Sequence, residues 1–210
     1  MASPGGDLEG SSGGTREKIV EQAEELIARD GFEQFQLKEI AERLGISSPA
    51  IFAHFEGRSG VAKAVARRVL GALVALGERA EGSDPGEALR AYVCRLVAHL
   101  AEHPAHLRIL LFDLAKGGAA SELDRETDLV GTVCEQMDEL LRSGLRGGCF
   151  RDLRRDAFAA QLLGSILASV AWHGWDANGQ LILRVPIPQL QHEAEELAIA
   201  LVRREPGPHS

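Results

Sequence analysis

Apolar residues recur three and four positions apart along almost the whole chain, and nowhere alternate with polar ones as in a half-buried strand. Such a pattern buries its apolar side chains by forming amphipathic helices, so the expected fold is all-α. Ile19, Val20, Ala23, Leu26 and Ile27 fall on one face of a first helix that Thr15 is placed to cap and Gly31 to end. After a connector at residues 32–36, Leu37, Ile40, Ala41 and Leu44 mark a short second helix closed by Gly45. Ser47 is placed to cap a third, over residues 48–55, with Gly57 at its end. Pro49 is tolerated in that first turn, where its missing N–H would have had no intrahelical partner.

A longer apolar-rich stretch covers residues 59–79, and residues 81–86 break it. Asp84 as N-cap, Pro85 at the first helical position and Glu87 three residues after the Asp predict a fresh start, and Leu89, Tyr92, Val93, Leu96, Val97 and Leu100 continue the stripe. That helix is expected to stop near His103, before Pro104. Residues 104–116 read as the next helix, broken by Gly117 and Gly118. Ser121 with Asp124 then opens a longer one that Gly144, Gly147 and Gly148 terminate. Residues 153–175 and 189–204 are the last two, separated by a loop holding Asn178, Gly179, Pro186 and Pro188.

The balance of charge narrows the function classes. With 23 Lys+Arg against 31 Asp+Glu the net charge is −8, so any contact with nucleic acid must be local rather than a bulk polycation effect. Cys94, Cys134 and Cys149 are too few and too odd in number for a disulfide framework, which points to a reducing compartment, and the cytoplasm is the expected location. Residues 1–14 have neither a basic n-region nor an apolar h-region and read as a disordered tail, as do residues 206–210. No apolar run is long enough to cross a bilayer.

Two short helices joined through Gly45, the second capped by Ser47, fit a helix-turn-helix whose second helix enters the major groove. The segment LKEIAERLGISSPAIFAHFEGRSGVAKAV closely resembles the DNA-binding region of the TetR family of bacterial transcription regulators, in Ile40 and Ala41, Gly45, Ser47, Phe52, Phe55 and Arg58. The preceding TREKIVEQAEELIARDGFEQF resembles that family's first helix. The resemblance spans about residues 15 to 68. It implies an N-terminal three-helix DNA-binding domain over residues 15–62, a linking helix to about residue 80, and a helical effector-binding and dimerisation domain over residues 81–205. It also implies roles for individual residues. Lys38 matches a groove-reaching position; Ser47, Ser48, Pro49, Ala50 and Ala53 match the base-facing surface; His54 and Arg58 match phosphate contacts, with Gln36 and Ser48 able to add neutral ones. The family's usual Tyr is Phe52 here, which keeps the packing role and loses a phosphate hydrogen bond. With short side chains at the groove, direct readout is sparse and DNA shape gains weight.

The implied partners are a palindromic double-stranded operator, a second copy of the chain and a small, mostly apolar effector. No cofactor, metal or membrane is implied, and no nucleophile elbow, dinucleotide fingerprint, Walker loop or metalloprotease motif occurs, so no enzyme is expected. The alternative is a helical ligand-binding or scaffolding protein without a role in transcription. His99, His103 and His106 would share a face of a continuous helix, but Pro104 interrupts it, so their rings need not converge and they read as helix-end histidines. Cys94 and Cys134 read as small core residues. Tyr92, Phe112, Met137, Trp172, His173 and Trp175 are candidates for an effector pocket. Gly164, Ala168 and Ala171 form a small-residue stripe, and Leu190, Ala194, Leu197, Ala198 and Leu201 a matching apolar face, which together are the expected dimer interface.

Overall fold

Asp84 shows how the local rules become structure: its carboxylate accepts from the N–H groups of Gly86 (2.9 Å) and Glu87 (3.1 Å), and with Pro85 at the first position it starts a helix where expected. The computed structural model describes residues 9–78, 84–115 and 128–203, with side chains from residue 14 onward. Among these residues lie nine helices: α1 (Glu9–Asp30), α2 (Leu37–Leu44), α3 (Ser48–Phe52), α4 (Gly57–Leu76), α5 (Pro85–Glu102), α6 (Pro104–Ala115), α7 (Leu129–Arg146), α8 (Arg155–Ala171) and α9 (Ile187–Val202). The described residues form no sheet, only two isolated bridges, Phe150 with Arg203 and Trp175 with Leu181. The expected all-α class holds.

Helices α1 to α3 and the start of α4 pack through Ile19, Leu26, Phe35, Ile40 and Ile51, each essentially buried. Helix α4 carries that core onward: Val61 and Val65 lie near its start, Leu73 near its end, and α4 packs against α1 and α7. In the second half α5 is central, flanked by α9 along its length and by α7, α6 and α8. Its stripe of Leu89, Tyr92, Val93, Leu96, Val97 and Leu100 is buried as predicted.

The differences at helix ends have local causes. Helix α1 begins at Glu9, so Thr15 lies inside it instead of capping it, while Gly31 ends it in the left-handed region (φ 94°), its N–H donating to the Ile27 carbonyl. Helix α9 starts at Ile187 with Pro186 as N-cap and Pro188 in its first turn, because a proline there forfeits no hydrogen bond. Helix α8 stops at Ala171, ahead of the predicted end, where Gly174 (φ 101°) turns the chain and its carbonyl accepts from Ile182 N–H at 3.0 Å. Helix α7 is opened by Asp128, which accepts from Gly131 N–H at 2.7 Å, and by the buried Asp113 of α6, which accepts from Val130 N–H at 3.1 Å. The start predicted at Ser121 and Asp124, the break at Gly117 and Gly118, and the terminal residues 206–210 lie outside the described residues.

The α8–α9 loop reaches back to the end of α1. Gly179 sits there buried with φ 75°, and a Cβ at this position would overlap the Arg29 Cα and the Ala28 carbonyl oxygen. Beside it the Arg108 guanidinium lies 4.1 Å over the Trp175 ring, and Phe112 packs on Phe32 at 4.6 Å. Gly179→Ala therefore meets both a backbone strain and a steric block, and it is expected to lower stability by about 2 kcal/mol or more. Urea unfolding of this variant, with Gly148→Ala as the matched positive-φ control that has open space around it, measures the difference.

Candidate nucleic-acid interface

The turn between α2 and α3 is fixed by Gly45, which adopts φ 63° so that its own N–H reaches the Glu42 carbonyl (3.3 Å) and the Ile46 N–H reaches that of Ala41 (3.0 Å). This returns the chain toward the core at Ile46 and aims Ser47 outward. Ser47 holds the N-cap position of α3 through its backbone, its carbonyl accepting from Ala50 N–H at 2.9 Å. Its hydroxyl makes no cap hydrogen bond, contrary to the expected cap, and faces solvent. Helix α3 is shorter than predicted because the N–H groups of His54 and Phe55 both close onto the Ile51 carbonyl at 3.0 Å. Ile51, fully buried, and Phe55 anchor this segment from within.

Of the residues to which the resemblance gives a place at the DNA, Gln36, Lys38, Ser47, Ser48, Pro49, Phe52 and Ala53 are exposed, and Ala50 and His54 are half-buried. They lie on or beside the outward side of the α2–α3 pair. Phe52 is 60% exposed, so most of its ring is presented to solvent rather than packed within the chain, with one ring edge near Gly57. Lys38 is 80% exposed and only loosely paired with Glu42 at 3.6 Å.

Residues 15–68 hold nine basic and nine acidic side chains, and many of these pair with one another. Arg29 bridges Asp30 and Glu39, Arg43 bridges Glu39 (3.0 Å) and Glu25 (3.4 Å), and Arg68 reaches Glu17 (2.6 Å) and Glu24 (3.4 Å). The hydrogen bond from Arg29 holds both Asp30 and Glu39 below the usual carboxylate range. Arg58, which the resemblance matches to a phosphate contact, is engaged within the chain. Its guanidinium donates to the carbonyls of Phe32 and Phe35 and lies 4.4 Å over the Phe35 ring, bracing the α1–α2 connector.

The six candidates for an effector pocket do not share one cavity. Tyr92 lines a cavity of about 320 Å³ with Val74, Gly77, Glu78, Gln136, Glu139 and Leu140. Met137 is fully buried. Phe112 and Trp175 lie at the junction with α1, Trp172 is 80% exposed, and His173 Nδ1 accepts from Arg184 N–H at 3.2 Å. Sequence reasoning missed Gln136 and Arg95. Gln136 accepts from the Tyr92 hydroxyl (2.8 Å) and donates to the carbonyls of Leu73 (3.0 Å) and Val74 (3.2 Å), while Arg95 donates to that of Leu76 (2.9 Å). Nothing in their spacing distinguishes them from solvated polar positions. Burial raises the Tyr92 hydroxyl above its usual range, so it stays a neutral donor.

The expected dimer surface divides. Leu190, Ala194 and Ala198 are buried on the inner side of α9, which packs along α5, and so are already covered within the chain. Gly164 has open space around it, Ala168 is exposed, Ala171 and Leu201 are half-buried, and Leu197 is 40% exposed. Cys94 is half-buried with its thiol on Glu195 at 3.4 Å, and burial pushes it up to about 11; Cys134 is also half-buried. The three histidines do converge, against expectation. Because α6 opens at Pro104 directly after His103, the chain folds back and brings the rings of His99, His103 and His106 within 4.5–5.0 Å of one another. Burial, with the neighbouring rings, lowers His99 to about 4.

Residues 19–65 match the family model described as bacterial regulatory proteins, tetR family. No curated protein matches the chain. Many solved structures do. A bacterial regulatory protein in the tetR family from Rhodococcus RHA1 is 17% identical with a TM-score of 0.73, covering 91% of this chain and 98% of that one. The fatty acid degradation regulator FadR from Bacillus halodurans is 19% identical with a TM-score of 0.71 over 90% and 97%. The ketosteroid transcriptional regulator KstR2 of Mycobacterium tuberculosis is 20% identical with a TM-score of 0.71 over 91% and 96%.

The inward position of Arg58 generates a prediction. Arg58→Ala removes two charge-assisted hydrogen bonds to carbonyls and should cost about 1.5–3 kcal/mol of stability. The salt dependence of DNA binding should keep its slope. Thermal unfolding together with binding isotherms at several salt concentrations checks this: unchanged stability with a slope lower by about one per protomer would return Arg58 to the phosphates.

Proposed function

We propose that this chain, whose residues 19–65 match the tetR family model and whose fold is similar to that of tetR-family regulators, is a repressor of that family that binds a palindromic operator as a homodimer and is released by a small, mostly apolar effector. The observation that carries the DNA reading is the α2–α3 pair. Ile51 pins α3 from inside, while Ser47, Ser48, Pro49, Phe52 and Ala53 stand exposed beside Lys38 and Gln36. Small side chains let the helix sit close to base edges. Ser serves donor or acceptor edges, and Pro49, Ala50 and Phe52 suit thymine methyls. His54, Gln36 and Lys38 serve the backbone. Residues 15–62 are the DNA-binding unit, α4 links it onward, and residues 81–205 hold the effector and dimer functions.

The cavity beside Tyr92 suits the effector. Its walls are mostly apolar, with the Tyr92 hydroxyl, the Gln136 amide and the Glu78 and Glu139 side chains as polar groups, and it adjoins the end of α4. Two of the similar structures are named for fatty acid degradation and for ketosteroid, which fits an apolar effector class. For the dimer, the outer surface of α8 at Gly164, Ala168 and Ala171, together with Leu197 and Leu201 of α9, supports a two-fold contact of helices at close range.

Selection of bound duplexes from a random library tests the DNA reading. The wild type is expected to yield a palindrome with half-sites roughly 34 Å or more apart. Lys38→Ala should weaken all sequences alike and lower the salt slope by about one per protomer, whereas Pro49→Ala should change the selected sequence. A selected sequence identical for both would place other residues at the bases. For the dimer, Ala168→Arg sets two charges near the axis and should give a helical monomer in sedimentation that no longer protects the operator. A dimer that binds normally would move the interface elsewhere.

A further inference from the structure

His99, His103 and His106 lie apart from the DNA face and from the cavity, and neither reading above uses them. His99 Nε2 and His106 Nδ1 are aimed at one another at 2.8 Å, and His106 is only 6% exposed. The opposite nitrogen of His106, Nε2, faces Oε1 of Glu24 on α1 at 3.8 Å. That oxygen is buried and accepts no hydrogen bond; its ion pair with Arg68 Nε, at 3.4 Å, is not aligned for one. His103 is exposed and stacked on His106, with ring centroids 5.0 Å apart and 21° between the planes.

We propose that His99, His103 and His106 form a binding site for a divalent transition-metal ion of the zinc class, with Glu24 as the carboxylate that orients His106. Two imidazole nitrogens sharing a tetrahedral ion, each about 2.0–2.1 Å from it, sit about 3.3 Å apart and converge on it at an angle, so the facing pair at His99 and His106 must part by about half an ångström and turn toward a common point to admit one. Ligation through Nδ1 fixes the proton of His106 on Nε2, where it points at the Glu24 oxygen that now lacks a donor. This is the carboxylate–histidine–metal arrangement that sets tautomer and ring orientation. The exposed His103 supplies the third nitrogen by turning from its stacked position, and it lies on the route from solvent. Three imidazoles leave one position for water or an added ligand, and nitrogen donors favour zinc, cobalt, nickel or copper over magnesium or calcium. The ion would join α5, the α5–α6 junction and α6 and, through Glu24, α1.

The competing donor set is His192, Glu195 and Glu196 on α9, the one trio among the described residues whose ligand atoms already lie within 4.8 Å of one another, whereas the histidine trio gathers only once His103 turns; Arg90 pairs with Glu195 and Glu196. Titration of the full, untagged, chelator-treated chain with Co²⁺ and with Zn²⁺ separates the two. One ion per protomer is expected, with the visible absorption of tetrahedral Co²⁺. His99→Ala and His103→Ala should abolish that band, Glu24→Gln should keep it while weakening affinity about tenfold or more, and His192→Ala should change nothing. His103 is exposed, so its variant remains informative even where replacement of the buried His106 disturbs folding. Absence of stoichiometric binding, or binding that survives His103→Ala and is lost in His192→Ala, would overturn the proposal. DNA binding is not part of the readout, so the result stands independently of the operator reading.

Discussion

A helix ends with carbonyl groups that have no donor within the helix, and how these are met at the end of α4 governs how the two halves of this protein hold together. Helix α4 begins beside α3 and finishes against α5 and α7. Its last carbonyls are met by Gln136 from α7 and Arg95 from α5, and Gln136 is in turn held by the Tyr92 hydroxyl. Two helices, α5 and α7, are thus tied to one helix end, and two of the side chains involved, Tyr92 and Gln136, also border the cavity. A group inserted there competes for these same donors and acceptors, and the far end of α4 is continuous with the segment that sets α3.

The N-terminal segment works on the opposite principle. Its charged groups are mostly engaged along the back, where Arg29 and Arg43 bind the carboxylates of α1 and α2, and Arg58 turns inward to hold the connector. Exposed ion pairs of this kind contribute little each, but as a linked set they fix how α2 lies on α1. The outward surface keeps mostly uncharged side chains, with Lys38 as its exposed cation. A chain with a net charge of −8 can in this way offer a face to a polyanion without being basic as a whole.

Helix positions were legible because burial and capping leave periodic marks. The α5 stripe, the Asp84 cap and the Gly45 turn follow from spacing and residue type alone, and the fold class follows from the same periodicity. What was not legible depends on packing between distant segments. Leu190, Ala194 and Ala198 look like a face in search of a partner until α5 is seen to cover them. Arg58 reads as a surface cation until the carbonyls of Phe32 and Phe35 are placed beside it. Pro104 separates His99 and His103 from His106 in the helical pattern, yet the absence of any loop there is what folds the three rings together.

The two tryptophans stand four residues from the end of α8 or closer, in opposite surroundings: Trp172 projects into solvent, and Trp175 lies half-buried beneath the Arg108 guanidinium at the seat of the loop on α1. The protein therefore carries two natural fluorophores with separate fields of view. An external quencher reaches the first indole directly, and covering the outer surface of α8 shields it. The second is shielded already, and its emission follows the contact between the loop and the end of α1. Wild-type fluorescence, without any label, can distinguish an event on the outside of α8 from one at the join between the two halves.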